Sequence, residues 1–434
     1  MVHDDEPVGL DGVQVEFDDE RVVCDAGIAL VATLAQRLGI EALAADLVRL
    51  RRDRPGAANA GRKVMALVYA MVLGADSIDD TAVLRSGRTS RLLGGWIAAP
   101  STLGTFLRAF TFGHVRQLDA LLDRSLERAW QAGAGPGADR LVIDVDSFVG
   151  EVCGRLKQGA CYGYTRVLGY HPILATRADT RETLHIRLRK GSANTQKGIK
   201  RFCDELIARV ERAGATGVKL LRADSGFWNS KVFERLEQAG WQYSIGVRMI
   251  KTLRAAVEAI DEDAWQPIDY PDDGEAEIAE TVYGGRRLIV RRTRLLGAQA
   301  ELWPDWRHFC LITNRDEEIT LVEAEHREHA VVEQVIADLK EQALAHFPSG
   351  HFHANSAWTV LAALAHNMLR WTQLLGLPDT TVRAARTLRR RLLSVPGRLT
   401  RHARGWTLHL PARWPWHDDY TRALNRIREL PGTT

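Results

Sequence analysis

The sequence predicts an α/β protein: a strand-and-helix centre held between a helical N-terminal part and a helical, arginine-rich C-terminal part. Three observations carry that reading. The segment AGAGPGADR (132–140) is the clearest linker in the chain, and the texture changes abruptly across it. Beyond it, short β-branched runs alternate with amphipathic ones. After Asn314 the apolar residues return to three- and four-residue spacing. With 434 residues the chain has room for more than one domain. The expected units are 1–135, helical; 136–250, strands and helices; 251–320, rich in β-structure; 321–376, helical; and 377–434, basic.

Taken in order, DAGIALVATLAQRLGIEALAADLVRL has helical spacing interrupted by Gly39 as a turn, and GRKVMALVYAMVLG is apolar nearly all round, as a core helix is. APSTLGTFLRAF offers Ser101 or Thr102 as a cap and opens a long amphipathic stretch to Trp130. Then come three strands, within RLVIDVDSFVGEVC, YHPILATRAD and TLHIRLRKG. An amphipathic helix opened by Asn194 or Thr195 closes at Gly214. It is followed by the strand GVKLLRAD, the helix NSKVFERLEQAG and the strand WQYSIGVRM. From 251 to 320 the pattern is β-rich, with Gly284-Gly285 as a hairpin turn. Two helices, LVEAEHREHAVVEQVIADLKEQAL and NSAWTVLAALAHNMLRWTQLLG, precede the basic end.

Composition excludes several classes. Hydrophobic residues make up 45% and charged residues 26%, ordinary for a globular protein. No apolar stretch nears the ~20 residues of a bilayer span. The acidic start MVHDDEPVGLDG lacks the pattern of a signal peptide. Five cysteines without a C-x-x-C pair point to reduced thiols, so a cytoplasmic protein is expected. The net charge of +3 is unevenly spread. Eight acids fall in the first 20 residues, and none lies between Asp379 and Asp418. In that acid-free interval stand Arg383, Arg386, Arg389, Arg390, Arg391, Arg398, Arg401, Arg404 and Arg413. Arginine without balancing acid suits a phosphate backbone, so a nucleic acid is the expected partner.

Three carboxylate positions separate from the solvated background. Asp144 and Asp146, two apart in VIDVDSF, point to one face of a strand. Asp224 ends the apolar run of KLLRADSGFW. Glu333 lies on HREHAVVEQVIADLK, where a continuous helix would gather His326, His329, Glu333 and Lys340 within an arc of about 60°. A strand acid, a second strand acid after β-β-α, and a third acid on a later helix match the order of an RNase H-like core. Three such carboxylates can hold two Mg²⁺ ions roughly 4 Å apart, with hard oxygen ligands suited to phosphoryl transfer.

The run DVDSF … KQGACYGY … GYHPILA … RKGSAN … LLRADSGFW resembles the DDE transposases of bacterial insertion sequences, most closely the insertion sequence 1380 group. The resemblance spans most of the chain. It implies an RNase H-like catalytic core with a β-rich insertion at 251–320, an N-terminal DNA-binding region, and cut-and-paste transposition. Asp146 (or Asp144), Asp224 and Glu333 would take the DDE positions, binding two Mg²⁺ ions or Mn²⁺ in their place. Asp146 is favoured because it precedes the small residue Ser147. Lys340 matches the E-x6-K spacing, whereas His326 and His329 stand where a related signature has Tyr and Arg. Those histidines, Lys340 and the arginines would contact double-stranded DNA, the transposon ends and the target, with Trp228 available to stack on an unpaired base. Action on two DNA ends implies a homodimer on DNA. Two rival readings use the same residues: a zinc face built from His326, His329 and Glu333 with His351 and His353 nearby, or a DNA-binding relic without catalysis.

Overall fold

The computed structural model describes residues 10–432 apart from 52, 54, 164, 270–273, 296–305, 380 and 404. Arg404 of the basic segment and the first nine residues of the acidic start therefore lie outside the described residues. Its centre is one nine-stranded mixed sheet. In chain order the strands are β1 (Leu141–Ser147), β2 (Ile173–Arg177), β3 (Thr183–Arg187), β4 (Lys219–Ala223), β5 (Gln242–Val247), β6 (Gln266–Ile268), β7 (Gly274–Tyr283), β8 (Arg286–Leu295) and β9 (Arg307–Thr313). Across the sheet the order is β6-β7-β8-β9-β5-β4-β1-β2-β3. Within the sheet β4 runs parallel to both its neighbours, β1 and β5, and the amphipathic helices Ile199–Ala213 and Ser230–Gln238 supply the crossovers that parallel pairing needs. Phe233 of the second helix stacks on Tyr243 of β5, which fixes these helices on the face opposite Ser244.

The strands of 251–320, expected as an insertion, continue this same sheet. Strand β9 pairs antiparallel with β5, and β8, β7 and β6 follow outward. Gly284 and Gly285 have φ of 59° and 74°, the two left-handed positions that a tight hairpin between β7 and β8 requires.

The helices of the two chain ends share one apolar core with the sheet. Helix Phe352–Gly376 is buried along nearly its whole length, and helices Ala60–Leu73, Phe112–Ala129 and His417–Glu429 pack around it. Glu182, with no exposure, accepts from Trp130 Nε1 and Trp371 Nε1, tying the N-terminal helices to the β2–β3 turn. Two local expectations are corrected. The stretch from Pro100 to Trp130 is two helices, Pro100–Arg108 and Phe112–Ala129, with Pro100 at the first turn and Thr111 capping the second. Helix Ile199–Ala213 starts from Gly198, not from Asn194 or Thr195. The basic end also departs from a purely helical reading. After short turns at Ala385–Leu393 it forms a hairpin, Gly397–His402 with Gly405–His409, whose first strand pairs with Val22–Val23. No single helix among the described residues is long and apolar enough to cross a membrane.

Candidate active site at the end of the parallel strands

The register of β1 against β4 builds the site. Asp144 stands opposite Arg222 and Val145 opposite Ala223, so one step further Asp146 and Asp224 stand side by side. Asp224 keeps extended backbone angles, so alternation turns both carboxylates to the face that carries Asp144 and Arg222. Each is held by a local backbone donor. Ser147 N–H donates to Asp146 Oδ1 (2.6 Å), and Gly226 N–H donates to Asp224 Oδ1 (3.0 Å). Gly226 is small for reasons of contact: a Cβ there would lie 2.8 Å from the Thr195 side chain.

Asp144 and Asp146 share a face and differ in everything else. Asp144 has no exposure, and Arg222 Nε and Nη2 donate to its two oxygens at 2.7 and 2.9 Å. Burial pushes the Asp144 carboxyl up, while the bidentate guanidinium pulls it back toward the ionised form. Asp146 is half-buried without such a partner. Burial first, then the like charges of Asp224 and Glu333, raise it to about 6. Burial also raises Asp224.

The face is closed by the chain around Glu333, which departs from the single helix expected. Helix Ile319–Arg327 ends, a 3-10 turn covers Glu328–Ala330, and helix Val331–Lys340 begins anew. His329 Nδ1 lies 2.9 Å from the His326 carbonyl oxygen, a bond that competes with the helical ladder at this turn. The break divides the polar stripe. His326 Nδ1 is 2.9 Å from Ser244 Oγ on β5, its ring is stacked with His329, and burial depresses it to about 3. His329 contributes to the electrostatics of Asp144, Asp146 and Asp224 alike. Val332, Ile336 and Leu339 are buried as expected, which seats Val331–Lys340 against β1 and leaves Glu333 exposed. Lys340 Nζ sits 5.8 Å from the centre of the Phe148 ring, just past Asp146.

Among the described residues no three His, Cys, Asp or Glu side chains converge closely enough to ligate one ion. For the zinc face this is a correction with a structural cause. The 3-10 turn at Glu328–Ala330 interrupts the continuous helix on which His326, His329 and Glu333 would have shared one face. For the carboxylates, the donor chemistry fits a hard divalent cation. Asp146, Asp224 and Glu333 are close enough for the charges of Asp224 and Glu333 to raise Asp146, a repulsion that a bound cation relieves.

Asp224 borders two clefts. One of ≈ 600 Å³ is lined by Asn194, Thr195, Gln196, Trp228 and Arg248; the other, of ≈ 340 Å³, by Arg291, Phe309, His326 and His329. Trp228 is half-buried, and its carbonyl accepts from Gln196 Nε2 (3.0 Å). Arg189 donates to the carbonyls of Asn194, Thr195 and Lys197, fixing the opposite wall. The expected arginines are placed apart from these acids: among the described residues none of them ion-pairs with Asp146, Asp224 or Glu333. Arg383 is bound bidentately to Asp379, Arg389 is half-buried, Arg391 lies 5.5 Å from the Trp416 ring, and Arg386 and Arg390 are exposed. His351 precedes helix Phe352–Gly376, and His353 makes edge contacts with Phe112 and Phe352. Sequence reasoning missed Arg222 and Arg248. Arg222 had a signal, a lone cation two residues before Asp224 in an apolar strand, since a buried charge needs a partner.

The chain belongs to the family described as Transposase DDE domain group 1, which matches residues 6–432. Among solved structures it is similar to the piggyBac transposase in a synaptic complex with hairpin DNA. The identity is 13% and the TM-score 0.48, over 86% of this chain and 80% of that one. No curated protein matches it.

Proposed function

We propose that this transposase-family protein excises and rejoins DNA by cut-and-paste transposition, using Asp146, Asp224 and Glu333 as the carboxylates of an RNase H-like core. The observation that supports this most is the β1–β4 register, with Asp146 beside Asp224 and the helix of Glu333 packed on β1. The three carboxylates would hold two Mg²⁺ ions, or Mn²⁺. When bound, these supply activation of water or a 3′-hydroxyl and stabilisation of the leaving oxygen. The chain's own residues do the rest. Arg248 and Lys340 meet backbone phosphates on either side of the acids, and Trp228 offers a ring to an unpaired base. Asp144 and Arg222 lock β1 to β4 and, through Arg222 and the Glu325 carbonyl, to helix Ile319–Arg327. The protein acts in the cytoplasm of a bacterial cell, as an insertion-sequence transposase of the 1380 group, with two copies serving two DNA ends.

Metal binding tests this apart from turnover. Mn²⁺ titrated into the protein and followed by its paramagnetic signal should give two sites in the wild type. Weakened binding is expected in Asp146→Asn and Glu333→Gln. Unchanged Mn²⁺ affinity in both variants would remove these residues from the site.

A further inference from the structure

Every described residue from Leu10 to Val22 is exposed, yet the segment Val13–Phe17 has the pattern of a strand with one buried face. Val13, Val15 and Phe17 alternate with Gln14, Glu16 and Asp18, and their exposures are 46%, 76% and 104%. Among the described residues no strand pairs with it. Its root is anchored: Leu399 N–H donates to the Arg21 carbonyl at 2.9 Å, and Val22–Val23 pairs with Gly397–Arg398.

The same small sheet has a free edge of matching length. Among the described residues, strand Gly405–His409 is paired on one side only; it is five residues long and borders a cleft of ≈ 520 Å³ of mixed lining, with Leu399, Trp406, Leu408 and Leu424 beside Glu41 and Arg428. Trp406 is 48% exposed at its mouth. Charge matches as well. Residues 11–20 contain Asp11, Glu16, Asp18, Asp19 and Glu20 and no base, while the hairpin contains Arg398, Arg401, His402 and His409 and no acid. One such pair already forms at the root, Asp19 with Arg398 at 3.3 Å. Within one chain the arm leaves from the Val22–Val23 edge, two strand spacings or about 10 Å from the free one. A second copy faces no such obstacle, and exchange of the two arms closes a two-fold interface.

We infer that residues 13–17 of one copy add as a strand to the Gly405–His409 edge of a second copy, seating Val13, Val15 and Phe17 against Trp406 and the leucines of its cleft. The interface forms without DNA and does not depend on the carboxylate site. Sedimentation of the full chain without DNA should give twice the 48.4 kDa chain mass for the wild type. Val15→Ser/Phe17→Ser should give the single mass, with a dissociation constant raised at least tenfold. Because residues 13–17 are exposed within their own chain, these variants should keep the wild-type circular dichroism spectrum as folded single chains. A photo-crosslinking residue at position 17, in an equal mixture of heavy- and light-isotope chains, should join heavy to light at residues 405–410. Crosslinks confined to one chain, crosslinks elsewhere, or a dimer indifferent to the arm substitutions would each overturn the inference. So would an arm variant that alters only DNA affinity.

Discussion

Replacing Arg222 by methionine removes the guanidinium that holds Asp144 and strands a carboxylate with no exposure. The side chains of Arg222 and Asp144 are 3% and 0% exposed. Breaking a buried pair from one side is destabilising by about 3–5 kcal/mol, because the remaining charge has no compensation. The bond from Arg222 to the Glu325 carbonyl disappears as well, for about 1 kcal/mol more. At about 2.1 cal/mol/K of unfolding entropy per residue, a loss near 5 kcal/mol lowers the melting temperature of a chain this long by about 5–6 °C. Asp144→Leu/Arg222→Met, which removes both charges, should recover most of that loss, giving a coupling of about 3 kcal/mol in a double-mutant cycle read by urea unfolding. Asp144→Asn should be destabilised similarly, yet cleave DNA within about tenfold of wild type at a temperature where it is folded. An Asp144→Asn protein of unchanged stability and abolished cleavage would refute the reasoning. It would make Asp144, not Asp146, the reacting acid.

Other outcomes follow from the same geometry. A Cβ at Gly246 would lie 2.9 Å from the Ser225 nitrogen and 3.2 Å from the Asp224 carbonyl carbon, both backbone. Gly246→Ala should therefore displace Asp224 and cut cleavage by about 100-fold, with DNA affinity retained in a gel-shift assay. Burial, reinforced by Arg370, depresses His366 to about 3. The unfolded chain then takes up a proton near pH 6.5 that the folded chain refuses, so this contribution is full above pH 6.5 and is lost as pH falls toward 3. By pH 5 the loss is about 2 kcal/mol, and urea unfolding of His366→Asn should show a correspondingly flatter pH dependence. Lys340→Ala should leave the melting temperature unchanged and lower the salt slope of DNA binding by about one.

Much of the centre was legible because local chemistry and tertiary role agree there. Apolar alternation marked β1 to β5. Asn229, accepting from Lys231 N–H, caps its helix as expected, and Gly39 and Gly214 take the left-handed angles their positions implied. Long-range pairing was not legible. Nothing local to β9 says that it joins β5 some 65 residues earlier, so the later strands read as an insertion although they extend the sheet. RLTRH and GWTLH carry a period-two pattern, but their arginines drew the reading toward a basic helix, and the partner strand Val22–Val23 lies at the other end of the chain. At the site, Asp224 was identifiable from its position at the end of an apolar run. The different fates of Asp144 and Asp146 required Arg222, whose role depends on parallel registry and not on spacing. The division of the Glu333 helix at Glu328–Ala330 turns on side-chain bonds of His326 and His329 that no periodicity encodes.

The central claim is that the paired strand-end acids carry strand cleavage. Its most direct test is cleavage by Asp224→Ala of DNA bearing the sequences that flank this reading frame, measured beside its affinity for the same DNA. The account predicts wild-type affinity and no detectable cleavage with Mg²⁺ or Mn²⁺. Cleavage retained by Asp224→Ala would contradict it.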